Sequence, residues 1–429
     1  MVVPMRCRWV LALLVVAVLT PPAPARAQSS CSALGQATFV RDTLDEVYLW
    51  YRDLPDLDPA DYDSPDAYLA AARVRPRDAT FSYIQSRAAS DALFSESQFV
   101  GLGLSTAVVD GELRVLQVFD GGPAAEAGLD RGSRLTAIAG RAVADLLAAG
   151  TVDDAFGPAE ADYLVTLGFE TRNGTAMEVA LRKRTVTIPT VSLTRVFDVG
   201  GRRVGYVFFR NFVRPSAVAL DEAFAALRQA GVRELVLDLR YNGGGLVDVA
   251  VHLAGLIAGP AAVDQVFAQS HHNDRNRRLD ATLRFGAPSG ALGLDRVVVI
   301  ATKASASASE LLINGLRPFV PVVIVGDRTY GKPVGQYLFP FCDRVLAPVA
   351  FSMTNADGQG GYFDGLPADC PAADDIEHEL GDPGEASLAT ALGYIAAGSC
   401  RVPSGTRARR ADLPGARPQD AWQVLVNAR

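Results

Sequence analysis

Ser307 lies in a run of small residues, 304–309, where the chain turns from a predicted strand into a predicted helix. A helix start offers unpaired N–H groups and the positive end of the macrodipole. A hydroxyl held there can act as a nucleophile, and the next amide, on Ala308, can donate to the oxyanion formed on attack. Ser307-Ala308-Ser309-Glu310 also spells a capping box. On this segment alone, capping is the simpler reading. A nucleophilic serine needs a base. His252, His271, His272 and His378 sit in no motif that pairs them with a serine, and His252 falls inside a helix as a packed residue. Lysine becomes a base when burial lowers its pKa from about 10.4 toward neutrality. Arginine does not deprotonate. Of 41 basic residues only Lys183, Lys303 and Lys332 are lysine. Lys332 follows a buried strand, in Thr329-Tyr330-Gly331-Lys332-Pro333. Lys303 precedes the turn and points away, and Lys183 lies in Arg182-Lys183-Arg184, read as a solvated strand face. Lys332 is the candidate base.

Alternating strands and helices must position this pair. Strands are predicted at 203–209, 234–239, 296–301 and 322–325, and helices at 217–229, 247–257 and from 305 to 316. Such repetition implies an α/β core with parallel pairing and right-handed crossovers. Ligand sites in such sheets lie beyond the carboxyl ends of the strands. Two small-residue turns fall there, 242–245 and 304–309. Neither is a phosphate loop, because no G-K-[ST] follows. The segments 267–294 and 341–374 carry no assignment.

Residues 28–95 have helical patterning, with a helix expected over 65–72. Residues 96–188 read as short strands: a glycine-opened one at 99–104, then 112–119, 133–139, 163–170 and 177–184. Short helices are expected at 122–129 and 142–149, and Asn173-Gly174 marks a hairpin turn. This order, with Gly122-Pro123-Ala124-Ala125-Glu126-Ala127-Gly128-Leu129, resembles a circularly permuted PDZ domain. The resemblance implies that Gly101, Leu102, Gly103 and Leu104 form a carboxylate-binding loop for a peptide that adds as a strand. The glycines could also simply make a bend.

The chain is 429 residues, 49% hydrophobic and 21% charged, which excludes a mainly disordered protein. A formal net charge of −7 argues against nucleic acid or anionic membrane as partners, since both need basic footprints. Arg6 and Arg8, the apolar run 9–19, and Ala25-Arg26-Ala27 form a signal peptide over 1–27, cleaved before Gln28. An exported chain, periplasmic or secreted, is therefore expected. The apolar run is too short to span a membrane. Cleavage also removes Cys7. The remaining Cys31, Cys342, Cys370 and Cys400 suggest two disulfides. The expected pairing is Cys342–Cys370 with Cys31–Cys400. No metal site is expected, because there is no C-x-x-C and the histidines are scattered. The tail from 396 to 429 is unassigned.

One resemblance gathers these features. Ser305-Ala306-Ser307-Ala308-Ser309-Glu310 followed by Val325-Gly326-Asp327-Arg328-Thr329-Tyr330-Gly331-Lys332 resembles the carboxyl-terminal processing (tail-specific) proteases, the S41 serine peptidases. Ser307 and Lys332 stand 25 residues apart, as the family's Ser–Lys pair does. The resemblance implies a ClpP/crotonase-like core at 189–395, no cofactor, and an acyl-enzyme mechanism. It implies that Gln336 orients Lys332, although Pro333 and Gly335 depart from the family pattern. Asp238-Leu239-Arg240-Tyr241-Asn242-Gly243-Gly244-Gly245 resembles the oxyanion turn, which implies that the Gly244 N–H joins that of Ala308. The implied substrates are proteins or peptides with free C-termini, apolar ones if Leu102 and Leu104 set the preference. The alternative is an inert peptide-binding scaffold on the same fold. A β-lactamase-like reading fails, because that chemistry uses S-x-x-K and Ser307 is followed by Glu310.

Overall fold

The computed structural model describes residues 30–400. The expected signal peptide and the tail beyond Cys400 lie outside the described residues.

Alternation of side chains builds the centre. A six-stranded sheet runs in the order Val191–Val199, Arg202–Phe209, Glu234–Asp238, Arg296–Ala301, Val322–Gly326 and Cys370–Pro371. The first pair is antiparallel and the others are parallel. Every residue of Glu234–Asp238 is buried, as expected for a parallel strand covered on both faces. Successive side chains point to opposite faces. Leu235, Leu237, Val297 and Val299 therefore pack with Leu220, Phe224, Leu253 and Leu312 of the helices Ser216–Gln229, Val247–Ala258 and Ala308–Leu316. Val236, Val298 and Ile300 face the other way, against Leu388, Ala391 and Ile395 of the helix Ala386–Ala397. Ala107, Val109 and Leu116 join that second cluster from the neighbouring sheet. The mixed α/β expectation holds. The strand Val191–Val199 is not among the expected ones: much of it is exposed at the sheet edge, so it lacks the continuous apolar run of its neighbours.

The neighbouring sheet has the order Leu104–Val109, Glu112–Val118, Arg134–Ile138, Leu164–Glu170 and Ala176–Arg182, all antiparallel. The single strand expected over 99–104 is instead two. Gln98–Gly101 pairs with Arg184–Thr187, and a new strand begins at Leu104. The break is at Gly103, with φ +82°, where an added Cβ would lie 2.9 Å from Gly122 Cα. Lys183 is also a correction. It is buried, not solvated, because its Nζ donates to the carbonyls of Gly157 and Pro158 at 2.9 and 2.7 Å.

The N-terminal region packs where the chain continues past Lys332. Helices Ala33–Val47 and Pro65–Ala72 are capped by Ser32 and Ser64. Their Val40, Leu44 and Leu69 bury against Val334, Phe341, Leu346 and Val349. The strand Tyr83–Ser86 pairs with Arg344–Ala347. This packing decides the disulfides, which are Cys31–Cys342 and Cys370–Cys400 rather than the expected pairing. Cys31 precedes the helix whose Phe39 stacks on Phe341, beside Cys342. Cys370 sits on the edge strand of the central sheet, and the helix Ala386–Ala397 that packs on this sheet leads to Cys400. Among the described residues, no helix is long and apolar enough to cross a membrane.

Candidate active site

The turn after Arg296–Ala301 is pinned by two of its three serines. Ser305 Oγ donates to Leu239 O and Ser309 Oγ to Asn242 O, each at 2.8 Å. Both serines are buried. Ser307, between them, is partly exposed, with φ +53° and ψ −113°. A non-glycine residue in that region is strained, and such strain persists only where surrounding contacts hold it. The sequence selects Ser307 by spacing; the structure shows that its neighbours are already committed. Ala308 opens the helix, where an N–H has no intrahelical acceptor.

Glu310 does more than cap. Its Oε2 accepts from the backbone N–H groups of both Ser307 (2.9 Å) and Lys332 (2.8 Å). Its Oε1 accepts from Thr329 Oγ1 (2.6 Å) and the Gly331 N–H (2.7 Å). One fully buried carboxylate therefore ties the serine turn to the lysine turn. Burial pushes its pKa up to about 7, against the four donors that favour the charged form. In the sequence, only the S-x-x-E spacing signals this residue.

Lys332 is 3% exposed. Burial pushes its pKa down to about 7, against the fields of Asp78 and Glu310. Its Nζ donates to Gln336 Oε1. Gln336 Nε2 in turn donates to Phe81 O (2.6 Å) and Ala347 O (2.7 Å). Sequence reasoning misses Asp78. This buried carboxylate accepts from Tyr48 Oη, the Phe81 and Ser82 N–H groups and Ser82 Oγ, and so shapes the loop that orients Gln336. Lys303 is exposed.

The turn 238–245 closes the site. A Cβ on Gly244 would lie 2.7 Å from Ala308 N and 2.9 Å from Ser307 Cβ, so only glycine fits there. Gly244 N–H is not open, however: it donates to Asn242 Oδ1 at 3.0 Å. Asn242 Nδ2 donates to Phe209 O at 2.9 Å. Arg240, fully buried, pairs with Asp238, Asp374 and Glu385. The last two are 134 and 145 residues away in sequence and carry no local signal. Tyr241, at φ +64°, donates to Asp374 and accepts from Arg131 of the neighbouring sheet domain.

Leu102 and Leu104 are fully buried in the core of that domain, so neither side chain presents a surface to a ligand here. The carbonyls of Leu102 and Gly103 accept from the Ala124 and Phe119 N–H groups, each at 2.8 Å.

Known proteins resemble this chain. The family model for peptidase family S41 matches residues 203–370, and that for the peptidase S41 N-terminal domain matches residues 35–83. The chain is 28% identical over 260 residues to the chloroplastic C-terminal processing peptidase of Tetradesmus obliquus, covering 57% of this chain and 53% of that one. It is 25% identical over 263 residues to a carboxy-terminal-processing protease of Bartonella bacilliformis, covering 60% and 58%. The chain thus spans little more than half the length of these relatives. A solved structure described as an S41 protease from Bacteroides fragilis superposes with a TM-score of 0.66 at 26% identity, covering 83% of this chain and 97% of that one. The photosystem II D1 C-terminal processing protease shares the fold, with a TM-score of 0.50 at 24% identity over 79% and 92% of the two chains. With both matched segments holding residues that assemble around Ser307 and Lys332, the chain belongs to peptidase family S41.

Proposed function

We propose that the chain is an exported serine endopeptidase of the carboxyl-terminal processing type, working through Ser307 and Lys332. The observation that carries this reading is Glu310 Oε2, which holds the backbone of both residues at once. Neutral Lys332 takes the proton from Ser307 Oγ as that oxygen attacks the scissile carbonyl. The Lys332 ammonium then protonates the departing amine as the C–N bond breaks. Water, deprotonated by Lys332, attacks the acyl-enzyme, and Ser307 leaves with the proton. Gln336 fixes the Nζ. Ala308 N–H donates to the oxyanion, and Gly244 N–H joins it when Asn242 Oδ1 lets go. The 96–188 region acts as a PDZ domain, and the backbone of Gly101, Leu102, Gly103 and Leu104 receives the substrate's C-terminal carboxylate.

Cleavage of a loosely folded reporter tests this, comparing the parent with Ser307→Ala and Lys332→Ala. Turnover in the parent that is lost in both variants is expected. One observation favours the inert scaffold instead: the occupied Gly244 amide. Peptide binding with no turnover in the parent, under any added partner, would select that reading.

A further inference from the structure

Among the described residues, three arginines are buried almost completely: Arg131, Arg210 and Arg240. Arg131 pairs with Asp374, and Arg240 with Asp238, Asp374 and Glu385. Arg210 forms no ion pair among the described residues. It follows the Arg202–Phe209 strand, where that strand meets the neighbouring sheet. Its Nη1 donates to Gln117 Oε1. The guanidinium carbon lies over the rings of Phe119 and Phe208, at 5.0 and 5.8 Å, whose faces attract the cation but supply no counter-charge. Asp238 and Tyr241 act on Arg210 only through their fields. Asp238 is held by Arg240, and the Tyr241 hydroxyl by Asp374.

Several buried donors around Arg210 lack partners, as does one buried acceptor on the next residue, Asn211 Oδ1. Arg210 Nε has no partner. Gln117 turns its oxygen to Arg210, which leaves Nε2 as a second buried donor without one. Ser105 sits directly across the strand pair from Gln117, and its buried hydroxyl is also unpartnered. A buried cation without a counter-charge is costly, and so is each unmet donor. An acceptor carrying one negative charge beside Arg210 Nε answers the cation and that donor together.

We propose that Arg210, with Gln117 and Ser105 beside it, forms a binding site for a small monovalent anion, such as a halide, held between the two domains. One guanidinium matches one charge, which disfavours sulfate or phosphate. The site also touches the catalytic scaffold: Phe212, two residues on, donates its N–H to Gly244 O at 3.0 Å. Anion binding therefore braces the docking of the two domains beside the oxyanion turn.

The test uses the full chain carrying Ser307→Ala, to prevent self-cleavage. Thermal unfolding is compared in sodium chloride, sodium bromide and sodium gluconate at equal ionic strength. The expected result is a saturable rise in Tm with either halide, on the order of 2–4 °C, that is absent with gluconate. Arg210→Met should remove the halide response. Bromide-soaked crystals of the parent should show an anomalous peak within hydrogen-bond distance of Arg210 Nε, a readout that does not depend on the variant folding. Equal Tm in all three salts, a halide response that survives in Arg210→Met, or bromide peaks only elsewhere (an adventitious ion only) would overturn the proposal.

Discussion

The two halves of the candidate site are held by different chemistry. On the serine–lysine side, a buried carboxylate takes four donors and joins both turns. On the oxyanion side, a neutral amide takes one, the Gly244 N–H. Hydrogen bonds to charged groups contribute more than neutral ones. The Ser307–Lys332 half is therefore built rigid, whereas the Gly244 half is held by a bond that another acceptor can replace.

The largest expected effect strikes the rigid half. Ser307→Ala or Lys332→Ala should each lower kcat by about 10⁴–10⁶, measured on a reporter substrate, with the fold checked by circular dichroism. A residual rate within tenfold of the parent in either variant would remove the dyad.

Next comes the residue that joins the turns. Glu310→Gln should lower kcat by about 10²–10³, since small misplacements of reacting groups are costly. It also makes a directional prediction. The Glu310 charge raises the Lys332 pKa, so its removal should move the acid limb of the kcat/KM profile below the parent's limb near pH 7. A limb that moves upward would contradict this placement. On the oxyanion side, Gly244→Ala puts a Cβ 2.7 Å from Ala308 N at φ +105°. Its kcat should fall by about 10²–10³, the cost of one lost donor, with peptide affinity retained.

Burial of Lys332 also has a signature in stability. Its folded pKa is lowered to about 7 from 10.5. Between those values the unfolded chain binds more protons than the folded one, so this residue's contribution to stability rises with pH across that window. Lys332→Met should therefore stabilise the chain at pH 7, by about 2–4 kcal/mol, and the gain should shrink toward pH 10. Denaturant titration at both pH values measures it. The smallest effect on catalysis is expected from Cys31→Ser with Cys342→Ser. Loss of that bridge should cost about 2–4 kcal/mol of stability while kcat changes little. Mass spectrometry of unreduced peptides checks the pairing itself.

Local patterns are legible in the sequence. Continuous apolar runs mark the parallel strands, and the expected strand Arg296–Ala301 and helix Pro65–Ala72 appear with those bounds. Ser307 and Lys332 can be singled out as candidates because residue type, small-residue turns and lysine scarcity coincide with a spacing of 25. The failures concern contacts between distant segments. Lys183 reads as solvated because its partners, the carbonyls of Gly157 and Pro158, carry no side-chain signal. The expected disulfide pairing fails because bridging requires Cα atoms within about 7 Å, and sequence separation does not report that distance.

Which segments become strands and helices, and which residue types could serve as nucleophile and base, follow from the chain's order of residues alone, because periodicity and side-chain chemistry are local properties. It takes the folded chain to show that Glu310 binds the turns of both Ser307 and Lys332, that Asp374 and Glu385 complete Arg240, that Asn242 occupies the Gly244 amide, and that Arg210 lacks a counter-charge among the described residues. Each depends on which groups are brought together and shut away from water, and burial sets both the strength of a charge and the cost of leaving it unmatched.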